Sequence, residues 1–269
     1  MRKIRPYALS LAGFDPSAGA GILADIKTFE QHKVIGMSVV TALTFQNDSE
    51  FDGVKWVETD EIIKQIEVLT RKFKFEFIKI GMIQNLETLA ILISELRTKN
   101  SELKIIWDPI LKSSSGFEIH KQFDKEKLIS ILKNSFLITP NIEEIKNLTA
   151  EQDEMKAAKD LSQYCNVLLK GGHAKSEVRS QKSEVNNQTL GKDFLFLSPP
   201  LRGGREGQFS FKAKQISKIG KHGSGCVLSS AITANLANGL SLQRACLKAK
   251  DYVTKFLMSN KTLLGYHKI

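Results

Sequence analysis

Short apolar runs that alternate with amphipathic helical patterns constrain the fold of this 269-residue chain. Six of the runs predict buried strands: Tyr7–Leu11, Val39–Leu43, Phe77–Ile80, Ile105–Trp107, Phe136–Ile138 and Val167–Leu169. Five segments between them predict helices: Ile22–Gln31, Glu61–Arg71, Glu87–Leu96, Lys125–Leu132 and Met155–Tyr164. Strands that alternate with helices form a mostly parallel sheet with helices on both faces, so we predict an α/β domain. Ligands bind in such folds at the carboxyl ends of the strands.

The segment Lys221–Cys226 is Lys-His-Gly-Ser-Gly-Cys, and an apolar helical run, Val227–Ala237, follows it. Gly223 and Gly225 permit a tight turn with bare backbone. The free N–H groups of the following helix N-terminus would bind an anion such as phosphate. A helix N-terminus is also expected to lower the pKa of the Cys226 thiol. These features suggest phosphoryl transfer, and the alternative is a glycine-rich turn that only caps a helix beside a small buried cysteine.

Oxygen-bearing side chains follow two other predicted strands. Asp108 follows the fourth strand, and Asn141 and Glu144 follow the fifth. Mg²⁺ prefers such ligands and usually keeps several waters. Lys170, at the end of the sixth strand, places a cation beside two glycines, which suits a polyphosphate.

The ends of the first three strands carry weaker signals. The glycine-rich segment Ala12–Gly21 lets backbone approach a ligand closely, but structural turns look similar, and Asp25 in the next helix could serve the helix dipole alone. The amide of Gln46 can pair with the edge of a heterocycle, or belong to a polar loop. Met82 suits an apolar ligand wall or the plain core.

Charge and cysteine usage exclude several classes of function. The net charge is +10, and the stretch from Lys170 to Lys221 holds eleven Lys/Arg against four Asp/Glu. No aromatic RNA motif, zinc-ligand spacing or helix-turn-helix pattern accompanies this charge, so nucleic acid is not an expected partner. The cysteines Cys165, Cys226 and Cys246 are too widely spaced for a disulfide framework or a metal site. No apolar stretch is long enough to span a bilayer, and we expect a cytoplasmic protein.

The segment Lys175–Gln208 interrupts the strand–helix alternation. Its Ser198–Gly207 part is rich in Pro, Gly and Arg and has no apolar periodicity. We therefore predict a surface loop inserted at about 175–208. Phe194–Leu197 and Phe209–Lys212 are predicted to form the two strands of a hairpin that holds this loop.

Taken in order, these segments resemble the hydroxymethylpyrimidine/phosphomethylpyrimidine kinases of thiamine biosynthesis, within the ribokinase-like superfamily. The matching segments are Ala12–Asp25, Gly36–Asn47, Lys79–Met82, Asp108-Pro109, Ile138–Glu144, Leu169–His173, His222–Cys226 and Ala249–Val253. The likeness covers nearly the whole chain outside about 175–208. It implies one ribokinase-like domain over residues 1–269, a three-layer α/β/α sandwich with a central mostly parallel sheet.

The resemblance implies ATP-dependent, Mg²⁺-assisted phosphorylation of 4-amino-5-hydroxymethyl-2-methylpyrimidine and then of its monophosphate. The residues implied to surround the pyrimidine are Gly13, Asp25, Gln46, Met82 and Ile110. Those implied to hold Mg²⁺, partly through water, are Asp108, Asn141 and Glu144, and those of the phosphate-binding anion hole are Gly223, Ser224, Gly225 and Cys226. We expect Lys170 to stabilise the transferring phosphoryl group and the Cys226 thiolate to act as general base.

Three expectations remain open beside this one. Relatives are often homodimers, so a homodimer is expected. Some close relatives phosphorylate pyridoxal, so a pyridoxal or pyridoxine kinase is the nearest alternative. A binding module that keeps the fold and binds the pyrimidine without turnover is the alternative from another class.

Overall fold

One sheet of nine strands runs through the part of the chain that the computed structural model describes, residues 4–111, 124–171, 191–199, 207–213, 215 and 220–268. The strands are β1 Tyr7–Phe14, β2 Ile35–Gln46, β3 Phe51–Trp56, β4 Phe77–Ile80, β5 Lys104–Trp107, β6 Leu137–Ile138, β7 Asn166–Leu169, β8 Lys192–Phe196 and β9 Gln208–Lys212. The helices are α1 Gly21–Gln31, α2 Thr59–Thr70, α3 Leu86–Lys99, α4 Lys125–Lys133, α5 Ile142–Thr149, α6 Glu154–Leu161, α7 Ser224–Ala237 and α8 Leu242–Met258.

The centre of the sheet is parallel and its two ends are antiparallel. The strand order is β3-β2-β1-β4-β5-β6-β7-β8-β9, and every pair from β2 to β7 is parallel. The hairpin strand β3 pairs antiparallel with β2, and β8 and β9 extend the other end in antiparallel fashion. The predicted mostly parallel sheet is therefore confirmed.

Helices cover both faces of the sheet. Helices α2 to α6 pack on one face, where Leu92 and Ile131 belong to the larger apolar core. Helices α1, α7 and α8 pack on the other, where Val227 and Val253 belong to a second core. This arrangement is the expected three-layer α/β/α sandwich. No helix among the described residues is both long and apolar enough to cross a membrane.

Strand β3 and helix α5 lie where the sequence analysis predicted no element. Strand β3 lies at the edge of the sheet and has only half-buried and exposed residues, and it lacks the continuous apolar run that marks the central strands. Helix α5 has only eight residues and begins directly after Asn141, within the segment that was interpreted as a ligand set.

The predicted hairpin of Phe194–Leu197 and Phe209–Lys212 is confirmed as the antiparallel pair β8 and β9. Strand β8 begins at Lys192, inside the predicted 175–208 loop, and so shortens it. Residues 172–190 and 200–206 of that loop and its flank lie outside the described residues, and the insertion remains a prediction.

We predict that Gly36→Ala destabilises the fold through the contact of β2 with α1. A Cβ atom at Gly36 would lie 2.7 Å from Cδ2 of Phe29 and 2.9 Å from Cδ1 of Ile26. Because Phe29 is fully buried, the added methyl group should lower the free energy of unfolding by about 1–3 kcal/mol. Urea unfolding followed by circular dichroism measures this change.

The matched control is Gly53→Ala on β3, where the added Cβ meets its nearest neighbour at an ordinary 3.5 Å. This control should be neutral or slightly stabilising, because alanine restricts the unfolded chain. Equal changes in the two variants would contradict the packing argument.

Candidate active site

A cavity of about 270 Å³ opens at the carboxyl edge of the sheet, where parallel pairing brings the strand ends together. Twelve of the predicted site residues line it: Gly13, Gln46, Met82, Asp108, Ile110, Asn141, Glu144, Lys170, Gly223, Ser224, Gly225 and Cys226. They come from chain segments as far apart as β1 and α7. The structure thus brings together the residues that the sequence placed after separate strands.

The glycine-rich turn leads into α7 as predicted. Gly223 adopts a left-handed conformation with φ of +72°, and a Cβ atom there would lie 2.0 Å from the carbonyl oxygen of Gly19. Helix α7 begins at Ser224, and its N-cap residue Gly223 makes no side-chain cap to the first N–H groups. Because residues 223–226 line the cavity, the positive end of the helix borders the cavity.

The thiol of Cys226 does not have the lowered pKa that the helix N-terminus predicted. Burial of the side chain raises the pKa to about 11, and the charge of Lys79 and the Gly21 backbone N–H oppose this only in part. Asp25 and Asp108 add to the rise. Loss of hydration therefore outweighs the helix N-terminus, and the thiol is protonated at neutral pH in the ligand-free protein.

Lys170 lies between two carboxylates at the cavity wall. Its Nζ is 2.9 Å from Asp108 Oδ1 and 3.6 Å from Glu144 Oε2. Although burial opposes ionisation of Asp108, Lys170 and Lys79 hold the pKa of that carboxyl below its usual value. Burial raises the pKa of Glu144 to about 7, with Lys170 acting against the rise. The three groups form a largely buried cluster in which Lys170 interacts with both carboxyl groups.

Asn141 and Glu144 form a capping box at the start of α5. Asn141 Oδ1 accepts from the Glu144 backbone N–H at 2.8 Å, and Glu144 Oε2 accepts from the Asn141 backbone N–H at 2.7 Å. The Asn-x-x-Glu spacing therefore has a structural role, which is to fix Glu144 at the cavity wall.

The oxygen ligands at this wall fit a hydrated Mg²⁺ better than a fully protein-ligated ion. Among the described residues, no three His, Cys, Asp or Glu side chains converge as metal ligands. Asp108 already accepts hydrogen bonds from Lys170, Thr139 and Ser229. Asp108 and Glu144 still border the cavity, and Mg²⁺ commonly keeps waters between itself and such carboxylates.

Asp25 does not line the cavity, and its expected contact with the pyrimidine stays a prediction. Its carboxylate is fully buried and pairs with Lys79 at 2.8 Å. The hydroxyl groups of Ser10 and Ser230 donate to it at 2.5 Å and 2.6 Å. With its hydrogen bonds satisfied inside the protein, Asp25 supports the wall from beneath, and Ser230 links it to the helix that carries Cys226.

Gln46, Gly13, Met82 and Phe51 form a further part of the cavity lining, which combines a side-chain amide with apolar groups. The Gln46 side-chain amide donates to Thr44 Oγ1 at 2.8 Å, which orients it. A Cβ atom at Gly13 would lie 3.1 Å from the Met82 sulfur, so glycine leaves room for this wall. Phe51 of β3 also lines the cavity. The sequence analysis missed Phe51 because it missed β3, and the available signal was the set of strand-forming residues Phe51, Val54 and Trp56.

Comparison with known proteins assigns the family. Residues 15–268 match the family model described as phosphomethylpyrimidine kinase. The chain is 33% identical over 270 residues to a hydroxymethylpyrimidine/phosphomethylpyrimidine kinase of Aquifex aeolicus, covering 95% of this chain and 96% of the relative. The chain belongs to the phosphomethylpyrimidine kinase family.

Solved structures agree with the family assignment and with a ribokinase-like fold. A crystal structure of phosphomethylpyrimidine kinase from Clostridium difficile superimposes with a TM-score of 0.72 at 31% identity, over 93% of this chain and 99% of that one. A pyridoxal kinase from Staphylococcus aureus in complex with pyridoxal gives a TM-score of 0.74 at 25% identity, over 96% and 90% of the two chains.

We predict that alkylation of Cys226 by iodoacetamide accelerates about tenfold for each pH unit between pH 7 and pH 9, because only the thiolate reacts. The raised thiol pKa of about 11 keeps this whole range below the midpoint of titration. Mass spectrometry of the peptide that contains Cys226 measures the rate, with Cys226→Ser as the blank. A rate that levels off near neutral pH would show that the pKa is lowered instead.

Proposed function

We propose that this protein is an ATP-dependent kinase that phosphorylates 4-amino-5-hydroxymethyl-2-methylpyrimidine and then its monophosphate, yielding the diphosphate used in thiamine biosynthesis. The observation that carries the proposal is one cavity lined by a helix N-terminus, a largely buried lysine and the side chains of Gln46, Met82 and Phe51, groups that suit a phosphate and a heterocycle. Membership of the phosphomethylpyrimidine kinase family supports the same substrate class.

Phosphoryl transfer needs positioning and charge neutralisation more than covalent help from the protein. The first residues of α7 line the cavity and are positioned by the turn, which supports their N–H groups as donors to a phosphoryl oxygen. Lys170 is held at the cavity wall by Asp108 and Glu144, so its charge is positioned before the nucleotide binds. Bound Mg²⁺, held by Asp108 and Glu144 through water, would neutralise charge on the ATP phosphates.

Cys226 is the proposed proton acceptor for the hydroxymethyl group in the first phosphorylation. Because burial raises the thiol pKa, the thiolate is the minor form at neutral pH, and first-step turnover should increase with pH. The acceptor in the second phosphorylation is already a phosphate and needs little deprotonation. The thiol should therefore matter less in the second step.

A product assay with the pyrimidine and Mg-ATP tests the proposed function, provided that it resolves the monophosphate from the diphosphate. We expect both products in succession. Pyridoxal is the competing substrate, because the pyridoxal kinase of Staphylococcus aureus shares the fold over most of the chain. A higher kcat/KM for pyridoxal would favour that alternative, and thermal stabilisation by the pyrimidine without ADP formation would indicate a binding module.

We predict that Cys226→Ala lowers kcat of the first phosphorylation by about 100-fold, the lower range for loss of a general base. The second phosphorylation should lose far less. Cys246→Ala is the matched control, because Cys246 is a buried cysteine of α8 outside the cavity lining. Equal losses in the two steps for Cys226→Ala would leave the cysteine with a structural role only.

We also propose that the protein forms a homodimer in the cytoplasm. Leu43 and Phe45 project from β2 with 40% and 55% of their surface exposed, next to the edge strand β3. A second copy would cover this apolar face. The described cysteines Cys165, Cys226 and Cys246 are all free, which suits a reducing compartment.

Analytical ultracentrifugation should show a dimer that Phe45→Ser weakens, and a monomeric wild type would refute the proposed dimer.

A further inference from the structure

Two loops meet at the rim of the cavity. The first loop, residues 15–20, connects β1 to α1, and the second, residues 221–223, leads into α7. Both contribute to the lining, the first through Ala20 and the second through all three of its residues. The first loop adjoins the strand that carries Gly13 on the pyrimidine side, and the second adjoins the phosphate-binding turn.

A buried hydrogen bond joins the two loops. His222 Nε2 lies 2.8 Å from Asp15 Oδ2, and both side chains are almost inaccessible to solvent. Burial opposes ionisation of Asp15, but the bonds from His222 and Ser17 hold the pKa of this carboxyl below its usual value. The carboxylate is therefore ionised and His222 Nε2 carries the donated proton.

The same carboxylate also fixes the shape of the first loop. It accepts from the backbone N–H groups of Ser17 at 2.9 Å, Gly19 at 3.2 Å and Ala20 at 2.8 Å. The Asp15 carboxylate thus fixes the backbone of the first loop and also binds the His222 side chain of the second loop. Movement of the histidine and movement of the cavity rim are coupled through this group.

The contact between the loops leaves no free space. A Cβ atom at Gly19 would lie 2.5 Å from His222 Cδ2 and 2.8 Å from Leu264 Cδ2. The His222 backbone N–H donates to the carbonyl of Leu263 at 3.0 Å, so the C-terminal segment closes the other side of the junction. The second ring nitrogen, Nδ1, is buried without a hydrogen-bond partner in the described structure. Asp15 is therefore the polar group that orients the ring.

We propose that Asp15 and His222 are positioning residues that hold the phosphate-binding turn at a fixed distance from the pyrimidine-side loop. Neither residue is assigned a part in the chemistry, and the inference rests on the proposed kinase function. In the proposed reaction the pyrimidine hydroxyl group lies on the side of the first loop and the phosphoryl group on the side of the second loop. The hydrogen bond between Asp15 and His222 would therefore set the distance between the reacting atoms. A displacement of about 1 Å at such a junction lowers turnover by about 100-fold.

The decisive comparison is His222→Gln with His222→Asn. The glutamine amide reaches the position of Nε2 and restores the donor to Asp15, whereas the shorter asparagine amide does not. We expect His222→Asn to lower kcat by about 30- to 100-fold in both phosphorylation steps, with a much smaller change in KM for the pyrimidine. His222→Gln should retain kcat within about fivefold of wild type. Loss in both steps separates this effect from that of Cys226, which concerns the first step.

Gly19→Ala is an independent variant that keeps both partners and displaces the imidazole through the 2.5 Å contact. It should reproduce the kcat loss of His222→Asn. His32→Asn is the matched control, because His32 is a partly buried histidine at the end of α1 outside the cavity lining. Thermal unfolding of each variant shows whether a loss of kcat accompanies a loss of folded protein.

Equal impairment of His222→Gln and His222→Asn, or wild-type kcat in His222→Asn and Gly19→Ala, would overturn the proposal. A wild-type protein that phosphorylates pyridoxal and leaves the pyrimidine unchanged would instead refute the proposed function. The same variants would then be compared on pyridoxal, where the positioning role predicts the same pattern of kcat losses.

Discussion

Parallel strand pairing is the constraint on which the site depends. Strands β2, β1, β4, β5, β6 and β7 run in the same direction, so their carboxyl ends form one edge of the sheet. Gly13, Gln46, Asp108 and Lys170 are far apart in the sequence and become neighbours because each is one of the last two residues of a strand or follows a strand directly. The helices that cover both faces exclude water from the side chains beneath this edge, where Asp25, Lys79 and Asp108 are buried.

The dry environment explains the pairing of the charges around the cavity. An unpaired buried charge is costly, and here Asp25 pairs with Lys79 and Asp108 with Lys170. Glu144 shares Lys170 with Asp108 and takes a raised pKa of about 7 from its burial. The arrangement keeps one lysine at the cavity wall while the other stays entirely within the protein. Under the proposed function, a phosphoryl group in the cavity would meet a cation and a helix N-terminus that are already in place.

The order of elements and most of the cavity lining follow from the sequence because both depend on local patterns. Apolar runs predict the central strands, and the residues after each run predict the lining. The sequence analysis did not predict the edge strand β3. Edge strands are partly exposed to solvent, and β3 therefore has no continuous run of apolar residues. Asn141 and Glu144 show a different limit. Their spacing predicts a shared role but does not distinguish a helix capping box from a set of metal ligands.

The sequence by itself determined the alternation of strands and helices, the glycine-rich turn before α7 and the residue types at the strand ends. These features arise from backbone propensities and local periodicity, which act over a few residues. Tertiary structure alone decided the buried ion pair of Asp25 with Lys79, the raised pKa of the Cys226 thiol and the hydrogen bond between Asp15 and His222. Each depends on solvent exclusion or on contact between segments that lie far apart in the chain. No local pattern carries that information.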